Sequence, residues 1–150
     1  MIQPFNYYLK GGAVRKSLFD PIIAKELFRK GEVRLLRLLK NPPTEEESSI
    51  FFEDVYESIR ESAQSLMELG GFKPYSHEAL IAYLEEKKML SPEELNIFNN
   101  YRILRNNSVY KAENVSIDKC KESLLFAQKI LPNIKEKLSL LLTEGKHEKV

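Results

Sequence analysis

The sequence predicts an all-α domain, an antiparallel up-and-down bundle of four to five helices, on three observations. Apolar residues recur at spacings of three and four over long stretches. Cap and stop signals bracket those stretches. No segment combines strict alternation with turn chemistry, so no sheet is expected. At 150 residues the chain has the size of one domain with a real core.

The elements follow in order. Residues 1–19 carry no period, and Gly11-Gly12 reads as a turn, so this stretch is expected to be an N-terminal arm. Asp20-Pro21 starts the first helix, because an Asp caps free N–H groups and Pro suits the first helical position. Its expected stripe is Ile23, Leu27, Leu35 and Leu38, with Ile22 and Leu39 at the edges. Gly31 marks either a bend or a close helix approach, and Asn41-Pro42-Pro43 ends the segment. Thr44 to Glu47 has the pattern of a capping box. The helix after it is expected to bury Phe52, Val55, Tyr56, Ile59, Ala63, Leu66 and Met67, and to close at Gly70-Gly71.

Ser76 caps a shorter helix over 77–89, and Ser91-Pro92-Glu93-Glu94 is the clearest start signal in the chain. The helix it opens carries Leu95, Phe98, Tyr101, Leu104 and Val109. A last helix is expected from Ser116 to Leu142, kinked or split at Pro132, before a frayed tail at 143–150. The bundle proper is therefore residues 20–142.

Composition excludes several function classes. The single Cys120 has no disulfide partner and reads as a small core residue in a reducing compartment. His77 and His147 are the only histidines, so no cluster has metal-ligand spacing, and neither metal nor cofactor is expected. The start Met1-Ile2-Gln3-Pro4-Phe5 lacks a secretory pattern and no apolar run reaches bilayer length. A cytoplasmic location without membrane contact is the expectation. No glycine-rich phosphate loop, nucleophile elbow or zinc-protease motif occurs. The Glu45–Glu47 run is read as cap and dipole complement, and His77 as a neutral group in a first turn.

Charge is segregated. Residues 1–40 hold nine Lys/Arg against three Asp/Glu; residues 41–94 hold four against thirteen; residues 95–150 hold ten against six. Either the oppositely charged helix faces complement one another, or the two basic thirds share a surface for an anion such as phosphate.

One segment departs from good helix chemistry: Asn99-Asn100-Tyr101-Arg102-Ile103-Leu104-Arg105-Asn106-Asn107-Ser108-Val109-Tyr110. Asparagine competes with the helical backbone for hydrogen bonds, so four here suggest polar groups kept for a partner or ligand. Arg102 and Arg105, three apart, lie along one side, where a guanidinium can grip phosphate bidentately. The competing reading pairs both arginines with the acidic middle helices.

This segment, with Asp20–Leu39, Phe52–Gly71 and Lys73-Pro74-Tyr75-Ser76-His77-Glu78-Ala79-Leu80, resembles the HEPN superfamily, in particular small stand-alone archaeal and bacterial members. The likeness covers roughly residues 20–140. It implies a helical bundle that dimerises, with an Arg, often an Asn, and then a His at the dimer cleft. Members with that motif are typically metal-independent ribonucleases, or toxins encoded beside a minimal nucleotidyltransferase. Here Arg105-Asn106 matches, and Tyr110 stands at the histidine position. A tyrosine near its ordinary pKa of about 10 does not shuttle protons at neutral pH.

The expectation is therefore RNA or nucleotide binding by Arg102, Arg105, Asn106 and Tyr110 in a homodimer with weak or no nuclease activity. A ribonuclease toxin using Arg105 and Tyr110, or a non-catalytic nucleotidyltransferase partner, are the alternatives.

Overall fold

A computed structural model describes residues 2–148. Six helices and one two-stranded ribbon make up the fold: α1 (Phe5–Lys10), β1 (Val14–Lys16), α2 (Pro21–Lys40), α3 (Ser48–Leu69), β2 (Phe72–Pro74), α4 (His77–Glu86), α5 (Pro92–Lys111) and α6 (Ile117–Glu148). The all-α bundle is as the sequence predicts. Its centre is α3, which touches α2, α4, α5 and α6 and buries residues on almost every side, from Phe51 and Phe52 to Leu69.

The α2–α3 crossing explains Gly31. A Cβ there would stand 2.8 Å from the carbonyl oxygen of Ser58 and 3.1 Å from the Ser62 nitrogen. Ser58 Oγ donates to the Gly31 carbonyl at 2.6 Å across the crossing. Of the two roles open to Gly31, close approach is the one the fold uses. Registering the helices on Gly31 turns the buried stripe of α2 to Ala24, Phe28, Leu35 and Leu38. Ile22 and Ile23 face outward and Leu27 is only half-buried, a correction to the expected stripe.

Four other expectations need correcting. The arm is not featureless: Phe5 and Tyr8 of α1 are core residues, with Phe5 edge-on to Phe72 and Tyr83. A small sheet exists, β1 pairing antiparallel with β2 so that Val14 faces Pro74 and Lys16 faces Phe72. Three residues per strand are too few to show alternation, and the ribbon is held by backbone bonds. Gly71, at φ 86°, turns the chain into it. Thr44 does not cap: residues 44–47 form a turn, and α3 starts at Ser48, whose hydroxyl bonds back to Glu45. Of the two outcomes open at Pro132, the split does not occur, and the helix does not stop at Leu142: α6 runs through Pro132 and on to Glu148. Of the expected tail, Lys149 and Val150 lie outside the described residues, as does the side chain of His147.

The remaining caps hold. Asp20 accepts from Ile22 and Ile23, Ser76 from Ala79, and Ser91 with Glu94 forms a reciprocal capping box. Cys120 is buried, its Sγ bonded to the Ser48 carbonyl at 2.9 Å, and burial pushes its thiol pKa up. Among the described residues no helix is long and apolar enough to cross a membrane.

The charge segregation has a structural use. Basic α2 meets acidic α3 through Arg34 Nε–Glu61 at 2.8 Å, Lys30–Glu61 at 3.4 Å and Arg34–Asp54 at 3.7 Å. Complementary faces thus account for part of it, leaving other cations unspent.

Candidate functional site

Three helices bring their polar residues to one place. The capping box fixes the start of α5, so that Asn99, Arg102, Arg105 and Asn106 fall within two turns on neighbouring sides. The Ser76 cap fixes the start of α4 and puts His77 and Glu78 in its first turn. From α3, Tyr56, Glu57 and Arg60 complete the cluster.

The anchor is Tyr56, almost fully buried, with its ring near Phe98 at 5.8 Å between centroids. Its hydroxyl lies 2.8 Å from His77 Nδ1, and the two rings stack at 26° and 5.5 Å. The guanidinium carbon of Arg105 lies 5.9 Å from the centre of the same phenol ring, within cation–π range. Burial pushes the Tyr56 pKa well up, against the pull of Arg60, Arg102 and Arg105, so the phenol keeps its proton.

The three arginines are balanced differently. Arg60 is clamped by Glu57 and also bonds Gln64. Arg102, its side chain only 12% exposed, reaches Glu78 at 3.4 Å and donates through Nε to Asn99 at 2.9 Å. The Tyr8 hydroxyl steadies Glu78 from α1 at 3.2 Å. Arg105 donates to its neighbour Asn106 at 3.1 Å, and among the described residues no carboxylate pairs with it. Two asparagines thus orient two guanidiniums without neutralising them. With three cations against Glu57 and Glu78, the cluster keeps one positive charge, and Arg105 carries it.

His77 feels that field. Burial first, then the charges of Arg60 and Arg105, lower its pKa to about 4, and Glu57 opposes only in part. The ring is neutral at pH 7, as expected, with burial and the neighbouring guanidiniums as causes. Glu57 is raised by burial but lowered more by Arg60, and its net direction is down.

A pH dependence follows. Between about 6.5 and 4 the unfolded chain takes up a proton at His77 that the folded chain refuses. This contribution to stability is whole above pH 6.5 and is lost as pH falls toward 4. The shift corresponds to at most ~3 kcal/mol, and less for a ring not wholly enclosed. Urea unfolding from pH 7.5 to 4 should show a slope that His77→Asn flattens. An unchanged slope assigns the dependence to the carboxylates instead.

Of the sequence candidates, Arg102, Arg105 and Asn106 come together here. Tyr110 does not join them: it is 75% exposed, and five residues turn it roughly 140° around α5 from Arg105. Among the described residues no group of acids, histidines or cysteines has the arrangement of a metal site. The sequence reading missed Tyr56, Glu57 and Arg60. They sit inside an ordinary amphipathic pattern, and only the i, i+4 pairing of Tyr56 with Arg60 hints at a shared face.

Comparison with family models, with curated proteins and with solved structures finds no match for this chain.

Proposed function

We propose that this chain is a HEPN-like protein that binds RNA or a nucleotide through phosphate at Arg105, with Arg102 as second cation and Asn106 as the group that orients the fork. The observation that carries this reading is the Arg105 guanidinium. It lies over a buried phenol, is splinted by an amide, and is without a carboxylate partner among the described residues. Such a group exchanges little for a phosphate, because it is already ordered and its charge is unspent. Tyr110, exposed on another side of α5, serves as a stacking platform for a base beyond the phosphate. The likeness to HEPN proteins adds the homodimer.

Cleavage is slow in this reading. The imidazole of the cluster, His77, holds a pKa of about 4 and has Nδ1 engaged by Tyr56. A base that weak takes a ribose hydroxyl proton poorly at neutral pH.

The test is titration of single-stranded RNA and of a nucleoside monophosphate at low and high salt. RNA affinity should fall with salt, log Kd changing by ~0.7 per phosphate held for each tenfold step. No detectable binding of either ligand at low salt overturns the reading. Chelator-resistant RNA breakage at ordinary enzyme rates overturns its second half.

A further inference from the structure

A pocket of about 490 Å³, within the size range of small-molecule sites, is built from the ribbon, the end of α3, α4 and α6. No residue of the Arg105 cluster lines it. Leu66 and Leu69 of α3, Phe72 of β2 and Leu141 of α6 give it apolar walls. Its ionised lining side chains are Lys16 and Glu144, opposite in sign and both exposed.

Two hydroxyls at this pocket have nothing in the chain to bond. Ser17 Oγ is buried without a hydrogen-bond partner among the described residues. Tyr83 is 3% exposed, its ring packed edge-on to Phe5 and tilted against Phe72. Its hydroxyl also lacks a hydrogen-bond partner among the described residues. Buried polar groups are ordinarily paired, so two orphans lining one pocket point to a group supplied from outside.

Gly70 serves the same arrangement. Its φ of −76° suits any residue, so the backbone there does not call for glycine. A Cβ would overlap the Tyr83 hydroxyl and stand 2.9 Å from Cζ of that ring. The end of α3 thus gives up a side chain to admit a hydroxyl that the fold leaves unused. Ser17 is seated one residue further on, its N–H donating to the Gly71 carbonyl at 2.7 Å. Neighbouring Cα atoms are about 3.8 Å apart, so the residues bearing the two hydroxyls rest on adjacent positions, near enough to serve one ligand group.

Both hydroxyls can donate, and one carbonyl oxygen has two lone pairs to receive them. A charged head would lose its water without a buried counter-ion, since Lys16 and Glu144 stay exposed. We propose that this pocket binds a small apolar molecule headed by one neutral carbonyl, a ketone, ester or lactone, with the Ser17 and Tyr83 hydroxyls donating to its oxygen. The site is separate from the phosphate site at Arg105, and either can fail without the other.

The experiment titrates 2-octanone and octanoate into the full chain at pH 7.5, following backbone amides by NMR. 2-Octanone should shift the amides of Ser17, Gly70 and Gly71, and octanoate should bind at least ~10-fold more weakly. Tyr83→Phe and Ser17→Ala should each weaken 2-octanone by roughly 3- to 10-fold, the loss of one hydrogen bond. Neither variant should lower the melting temperature, because each removes a hydroxyl that the fold leaves unpaired. Amides at 17, 70 and 71 that do not move with 2-octanone overturn the site. Octanoate binding as tightly as 2-octanone overturns the neutral head. Affinity unchanged in both variants reduces the pocket to an apolar hole and overturns the recognition by hydroxyls. A lowered melting temperature in both variants shows that the hydroxyls are paired within the fold and overturns it as well.

Discussion

Phe98→Ala should destabilise the protein by about 3–5 kcal/mol, measured by urea unfolding at pH 7.5. Phe98 is fully buried on α5, and its ring backs Tyr56 from below. Truncation removes the transfer energy of the ring and leaves a space that helices anchored at both ends cannot close. Phe98→Leu should cost less, since it refills part of the volume. The larger consequence concerns the site. Tyr56 stacks on His77 and sits beneath Arg105, so any slack behind its ring reaches both. In the Ala variant the His77 pKa, read by NMR titration, should climb from about 4 back toward 6.5 as water enters. A cost below about 1 kcal/mol, with the His77 titration unmoved, would show that Phe98 is not the support described.

That coupling also explains what could be read from the sequence. The bundle was legible because its start and stop signals act locally: Asp20-Pro21, Ser76 and Ser91-Pro92 each satisfy free N–H groups within a few residues. The errors lie where a distant partner decides. Which face of α2 is buried depends on where Gly31 lets α3 come close, and the periodicity alone allowed an assignment that left Ile23 inside. The β1–β2 ribbon joins residues some sixty positions apart through backbone bonds that carry no side-chain pattern.

The site divides in the same way. Arg102, Arg105 and Asn106 could be named because asparagines are out of place in a helix, and the structure uses two of them as splints for guanidiniums. Tyr56, Glu57 and Arg60 could not be named. Each looks like part of an amphipathic helix until α4 and α5 arrive against it, and their function is a property of the packing.

Arg105→Ala should weaken RNA or nucleotide phosphate binding by roughly 10- to 100-fold, the loss expected for charge-assisted hydrogen bonds worth about 1.5–3 kcal/mol. Arg105→Lys keeps the charge but loses the planar fork and its place over Tyr56, so it should recover only part of the loss. Because Arg105 is half-buried and has no carboxylate partner among the described residues, neither change strips a described carboxylate of its partner, and both variants should unfold within about 1 kcal/mol of the wild type. Arg102→Ala is less clean, since it releases Glu78 beside the site and mixes a lost cation with a freed anion. Tyr110→Ala provides the contrast. Set on another side of α5, it should reduce affinity for RNA and leave a nucleoside monophosphate within about twofold, because only a chain of nucleotides reaches both residues. Equal losses for the monophosphate in Arg105→Ala and Tyr110→Ala would mean that one ligand touches both side chains, and the geometry derived for this helix would have to be abandoned. No loss in Arg105→Ala would leave its free guanidinium without a purpose and end the phosphate reading.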